Sequence, residues 1–267
     1  MRYVFALTLF AAALAHGQSC TLPVGATALG YTRQVFYDQP QLSEVSATDT
    51  DTTSKWYPGS FGSPTSQNLV TRELLSTVGS ELAIGLGGGV SSETHLSQPG
   101  ALPFLSGGNG FYIEFGMRLS TNDPDHFAGL YLETVEHNLA KSDHLSTDPA
   151  GYERWTELDV SETGYGPGSL ATVINWWGTY PLYSHLTMNN YGHDTALDYT
   201  VEHRYGMSYD PATNVLQWYI DDVPTWKTSP PNSVIKDFHY YAVMEAGTHG
   251  AHKPYQMFIR YVTAYSK

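Results

Sequence analysis

Cys20 is the only cysteine in 267 residues, so no intramolecular disulfide can form. Basic residues are scarce: 13 Lys and Arg stand against 26 Asp and Glu, for a formal net charge of −13. A surface of that sign repels phosphates and anionic headgroups. It argues against nucleic acid, membranes and polyanions as partners and leaves neutral ligands. Beyond the N-terminus no segment approaches ~18 consecutive apolar residues, the length of a membrane span. No Asn-x-Ser/Thr triplet occurs, so N-glycosylation is not expected. The 11 histidines never fall at His-x-x-x-His spacing, and no carboxylate follows His249 and His252. Neither a metal nor a cofactor is therefore expected. No helical period is sustained and no internal repeat is found.

The N-terminus carries Arg2, an apolar run over residues 3–15 and the small-residue boundary Ala15-His16-Gly17. This pattern predicts a secretion signal over 1–17 and a single extracellular domain over 18–267. Gly17-Gln18-Ser19-Cys20 is a poor lipoprotein box, so no lipid anchor is expected and Cys20 is read as exposed. A monomer is the default for a domain of this size.

Strand signals fill the rest. Gly and Pro punctuate the chain, strands are predicted at 110–119 and 127–135, and period-two alternation marks 154–162, 199–209 and 256–265. Further strands are predicted at 69–75, 82–86, 170–176, 215–220 and 239–245. Asp210-Pro211-Ala212-Thr213-Asn214 reads as the turn of a hairpin over 199–220. Many short, regularly spaced strands predict an all-β, two-sheet antiparallel β-sandwich or jelly roll. With 20 Tyr and 6 Trp but only 15% charged residues, the composition suits either a groove that stacks sugar rings or plain core filling.

The most informative stretch is Trp155-Thr156-Glu157-Leu158-Asp159-Val160-Ser161-Glu162. In a strand Glu157 and Asp159 share one face, and Leu158 and Val160 share the other. Strict alternation puts Glu162 on the wrong face. One extra residue at Val160-Ser161, a β-bulge, returns it to the face of the other two acids. Three carboxyls lined up on one face repel each other, an arrangement suited to chemistry that needs one ionised and one protonated group. A solvated acidic strand face is the plain alternative.

The cluster resembles the signature of glycoside hydrolase family 16, Glu-x-Asp-x-Glu, in its bulged form Glu-x-Asp-x-x-Glu. The strands around it follow the family's order. Phe111-Tyr112-Ile113-Glu114-Phe115-Gly116-Met117-Arg118-Leu119 and Phe127-Ala128-Gly129-Leu130-Tyr131-Leu132 lie upstream. Val215-Leu216-Gln217-Trp218-Tyr219-Ile220-Asp221-Asp222 and the closing strand Met257-Phe258-Ile259-Arg260-Tyr261-Val262-Thr263-Ala264-Tyr265 lie downstream. The resemblance implies a concanavalin A-like jelly roll and a secreted, endo-acting, retaining glycosidase on a β-linked polysaccharide. A β-1,3 or mixed-linkage glucan ranks first, with a galactan possible. It implies Glu157 as nucleophile, Glu162 as general acid/base and Asp159 between them. Trp155, Asn175, Trp176, Trp177 and Arg118 are candidate substrate contacts. Trp155 either stacks a sugar or packs beneath the strand. Trp176 and Trp177 point to opposite faces, so at most one enters the groove. Arg118 is placed to orient Glu157 from a neighbouring strand or is a surface charge. His185 and His193 fall in a polar loop. Asn175 stands where many members carry His. Arg260 replaces an Asp that helps bind calcium, so no calcium is expected there.

Two other classes fit the same fold: a lectin-like module whose acids only hydrogen-bond sugar hydroxyls, and a jelly-roll polysaccharide lyase. The lyase ranks last, because the acidic strand opposes a uronate polymer.

Overall fold

The computed structural model describes residues 22–47, 51–59, 72–93, 100–123, 125–138, 148–165, 170–179, 182–191, 197–231, 234–248 and 253–267. The stretch 1–17 expected to be a secretion signal, Cys20, Tyr180, His193, His249 and His252 lie outside the described residues. In chain order the elements begin with α1 (Val24–Ala28), β1 (Arg33–Asp38), β2 (Tyr57–Pro58), β3 (Leu75–Val78), β4 (Glu81–Gly85), β5 (Gly88–Ser91) and β6 (Leu105–Ser106). There follow β7 (Phe111–Leu119), β8 (His126–Thr134), α2 (Val135–Asn138), β9 (Tyr152–Glu162), β10 (Leu170–Thr179) and β11 (Leu182–Tyr191). The chain closes with β12 (His203–Asp210), β13 (Val215–Ile220), β14 (Val223–Thr228), β15 (His239–Thr248) and β16 (Gln256–Ser266). Among the described residues no helix is long and apolar enough to cross a membrane.

The strands form two eight-stranded antiparallel sheets. The first runs β14-β13-β12-β7-β16-β4-β3, with β1 also on β16. The second runs β11-β10-β9-β8-β15-β5-β2, with β6 also on β15. Their inner faces share one core. Ile113, Phe115, Met117, Tyr205 and Met207 from the first sheet pack against Leu130, Leu132, Leu158, Val160 and Met244 from the second. The predicted all-β jelly-roll sandwich is the fold observed. The outer face of the first sheet is covered by α1, where Ala26 packs with Tyr31, Tyr112, Tyr219 and Tyr265. Under this cover Glu114 is buried and accepts hydrogen bonds from Tyr112 (2.8 Å) and Tyr261 (2.7 Å).

Three departures from the predicted strands have physical causes. The expected strand at 199–209 begins at His203. Asp198 Oδ1 accepts from the amide and hydroxyl of Thr200 (3.0 and 2.7 Å), closing a turn that leaves Val201 exposed. In the predicted 69–75 strand, 72–74 is a 3-10 turn and pairing starts at Leu75. The loop around His185 is the edge strand β11, paired to β10 along its whole length. Its polar sequence hides it because an edge strand needs little apolar burial. The glycine run at 85–89 carries the chain from β4 in one sheet to β5 in the other. Gly87 has φ +81°, and a Cβ on Gly88 would lie 2.7 Å from the Gly85 carbonyl oxygen.

Candidate active site

The acidic strand β9 lies between β8 and β10. On β8, Leu130 pairs with Ser161 and Tyr131 with Asp159, so Val160 has no partner. On β10, Leu170 pairs with Glu162 and Thr172 with Asp159, so Ala171 alone faces both Val160 and Ser161. Two residues opposing one is a β-bulge, at the position the sequence requires. Leu158 and Val160 enter the core, Ser161 sits opposite the core residue Leu130, and Glu157, Asp159 and Glu162 share the outer face. The bulge is tied from behind. Trp218, on β13 of the other sheet, crosses the core and donates its indole N–H to the Asp159 carbonyl (2.7 Å). That carbonyl borders the interrupted ladder, where a buried acceptor needs an outside donor.

Cross-strand register shows what surrounds the acids. Glu162 is level with Gly129 on β8, which is level with Glu245 on β15. Gly129 leaves a gap between the two carboxylates, and the Tyr131 ring leans into it: a Cβ on Gly129 would meet that ring at 3.3 Å. Tyr131 donates its hydroxyl to Glu245 (2.8 Å). Glu133 is level with Tyr241, and Tyr57, Tyr131, Tyr241 and Val243 floor this part of the face. Further along β9 the same face carries an aromatic wall. His137 stacks on Trp155 (4.0 Å), Trp155 on Trp176 (5.3 Å, 5° between planes), and His185 leans on Trp176 (4.6 Å). Tyr183 meets Trp155 edge-on (4.7 Å) and hydrogen-bonds Glu153.

The face is recessed: Asp159 is 1% exposed, Glu133 5% and Glu162 8%. Burial is the main cause of every carboxyl shift here. It pushes Glu157 up to about 7, aided by the charge of Glu245, while a polar contact from Asp159 holds it down. Burial and the charges of Glu157 and Glu245 push Glu162 up to about 8. Asp159 is raised well above the usual carboxylate range by burial, then by Glu157 and Glu162. Glu133 is raised by burial, then by Glu157 and Glu93. Both Asp159 oxygens are buried without a hydrogen-bond partner among the described residues. The arrangement holds carboxyls of unlike proton affinity side by side, the requirement for paired acid and nucleophile roles.

The other sequence-predicted residues divide. Trp176 stands on the face of the acids. Trp155 does too, but His137 and Trp176 cover both its ring faces, so it is wall rather than stacking platform. Asn175 and Trp177 are level with Thr156 and Arg154 and project from the opposite side of the sheet, so of the two neighbouring tryptophans only Trp176 faces the acids. Of the two readings of Arg118, the structure places it as the surface charge. It belongs to β7 of the other sheet, alternates with core residues Met117 and Leu119, and so points outward. There it forks onto Glu81 (3.1 and 2.5 Å) and lies over Phe258 (3.9 Å). Arg260 is the extra residue of a bulge in β16 and pairs with Glu202 (3.2 Å). Sequence reading missed Glu133, Glu245, Tyr131 and Tyr241. Their only signal was alternation within β8 and β15, which does not say which strands flank β9.

Fold and site define a jelly-roll sandwich whose second sheet carries acidic and aromatic side chains on its outer face. Solved structures share the fold. A structure from work on the endo-acting O-glycanases that human gut microbiota express to initiate mucin breakdown matches with a TM-score of 0.59 at 16% identity, covering 88% of this chain and 99% of the other. LamAcat from Zobellia galactanivorans matches with a TM-score of 0.57 at 12% identity, covering 89% and 99%. A glycoside hydrolase family 16 endo-glucanase from Bacteroides ovatus, in complex with G4G3G-2F-DNP, matches with a TM-score of 0.53 at 11% identity, covering 86% and 99%. At these identities the likeness is one of fold. No family model matches the chain, and no curated protein matches it in sequence.

Proposed function

We propose that this chain is a secreted, endo-acting, retaining glycoside hydrolase of neutral β-linked polysaccharides, with β-1,3 or mixed-linkage glucan first and galactan second. The observation that carries the reading is the bulge at Val160, with Glu157, Asp159 and Glu162 on one recessed face of a fold shared with endo-glycanases. Glu157 attacks the anomeric carbon as the carboxylate. Glu162, the more proton-retaining of the pair, protonates the departing glycosidic oxygen, then deprotonates the water that releases the glycosyl–Glu157 ester. Asp159, held neutral by burial, steadies the ionised form of Glu157. The substrate class follows from charge. Among the described residues no Lys or Arg projects from this face, so a sulfated or uronate chain meets only repulsion.

The test is reducing-end release from laminarin, lichenan and agarose, with the anomeric configuration of the first product read by NMR. E157Q and E162Q are expected to lose three or more orders of magnitude in kcat with folding intact, an order-of-magnitude loss typical of removing a reacting group. Equal activity in either variant overturns the assignment. Binding without turnover on every glycan replaces it with a lectin.

The carboxyl shifts set the pH profile. Activity needs Glu157 ionised and Glu162 protonated, so kcat/KM should peak between about 7 and about 8 and fall on both sides. The charge of Glu245 raises both groups, so E245Q should move both limbs to lower pH. Unmoved limbs count against this electrostatic account.

A further inference from the structure

On the other side of the acidic strand lies a cavity of about 330 Å³, bordered by Tyr152, Arg154, Asn175, Trp177 and Leu186 on the sheet and by Pro231 and Val234 from outside it. Tyr152, Arg154 and Thr156 on β9 are level with Thr179, Trp177 and Asn175 on β10, so these side chains share one face, opposite the carboxylates. Asn175 is 6% exposed. The Thr156 hydroxyl donates to its Oδ1 (3.0 Å), which fixes the amide, and Nδ2 finds no acceptor. Arg154 forks onto Asp148 through Nε (2.8 Å) and Nη2 (2.7 Å), so its charge is neutralised and Nη1 stays outside the fork. Trp155 and Trp176 are each stacked, whereas no aromatic ring packs on Trp177 among the described residues.

These features select a ligand. A neutralised guanidinium does not hold an anion strongly. A purely apolar ligand would leave the buried Asn175 donor unsatisfied. An open indole face, an amide donor seeking an oxygen and an apolar far wall suit a ring with hydroxyls on its rim and C–H groups on its face. We propose that this cavity is a second carbohydrate site, holding one neutral pyranose unit on the side of the sheet opposite the catalytic carboxylates. The proposal rests on the glycan-active reading only for the choice of ligand.

The test is an NMR titration of the full chain, following the Trp177 indole N–H (assigned with W177F) against D-glucose, D-galactose and N-acetyl-D-glucosamine, each into the millimolar range. At least one sugar should shift the signal saturably. L186R, which sets a long cation across the exposed mouth, should abolish that shift. N175L, which removes the unpartnered donor, should weaken binding about tenfold, the value of one lost hydrogen bond. An indole signal that none of the three sugars moves overturns the proposal, as does a shift that survives unchanged in L186R. Reducing-end release separates the two readings. A silent Trp177 with turnover intact sinks this site alone, and a responsive Trp177 with no turnover sinks the hydrolase alone.

Discussion

Gly129 shows how one residue shapes the acidic face. It is level with Glu162 on one side and Glu245 on the other, and its missing side chain is the space into which Tyr131 leans. G129A adds a methyl at 3.3 Å from that ring, so Tyr131 must yield and its hydrogen bond to Glu245 with it. The expected outcome is a fall in kcat/KM of about tenfold, as a misplaced group near the chemistry produces, with circular dichroism unchanged. Wild-type kinetics in G129A would remove Tyr131 from the site's working parts. Such a role is illegible in the sequence, where Gly129 is one of 25 glycines. Arg118 is undecided by sequence at the same scale. Its charge and strand position were legible, but the sheet to which β7 belongs was not, and in the other sheet it serves Glu81.

The element that matters most is the interrupted strand. Its kink was readable from residue spacing, because only an extra residue lets Leu158 and Val160 enter the core while three acids leave it. The tie that holds the kink was not readable, since Trp218 lies on the opposite sheet. W218F keeps most of the packing but deserts the Asp159 carbonyl. It should cost about 1–3 kcal/mol, the penalty for a buried acceptor left without its donor. Chemical denaturation measures that cost. A kcat loss exceeding the KM change would identify Trp218 as a positioning residue, whereas a stability loss with unaltered kcat would make it purely structural. β11 marks the limit of pattern reading. Its alternation is weak because its partners demand little of it, yet it brings His185 to the aromatic wall and Leu186 to the cavity behind.

For the whole molecule, the recessed acids tie stability to pH. Glu157 and Glu162 hold protons to about 7 and about 8 when folded, against an ordinary value of 4.5. Between pH 4.5 and about 8 the folded state therefore binds more protons than the unfolded chain, and stability falls as pH rises. Thermal melts should show Tm dropping by several degrees across that window, at roughly 2–4 °C per kcal/mol for a domain of this size. The double variant E157Q/E162Q should flatten the slope and melt higher than wild type at pH 8. An equal slope in the variant would place the burden on other groups. The amino-acid order alone determined the all-β sandwich, the strand that carries the acids and the bulge that gathers them, because alternation and spacing are local properties of the backbone. Only the tertiary structure decided which sheet each strand joins. It thereby put Glu133, Glu245 and Tyr131 beside the acids, and turned Arg118, Asn175 and Trp177 away from them. Strand neighbours are chosen by burial and pairing over long sequence separations, which no local pattern encodes.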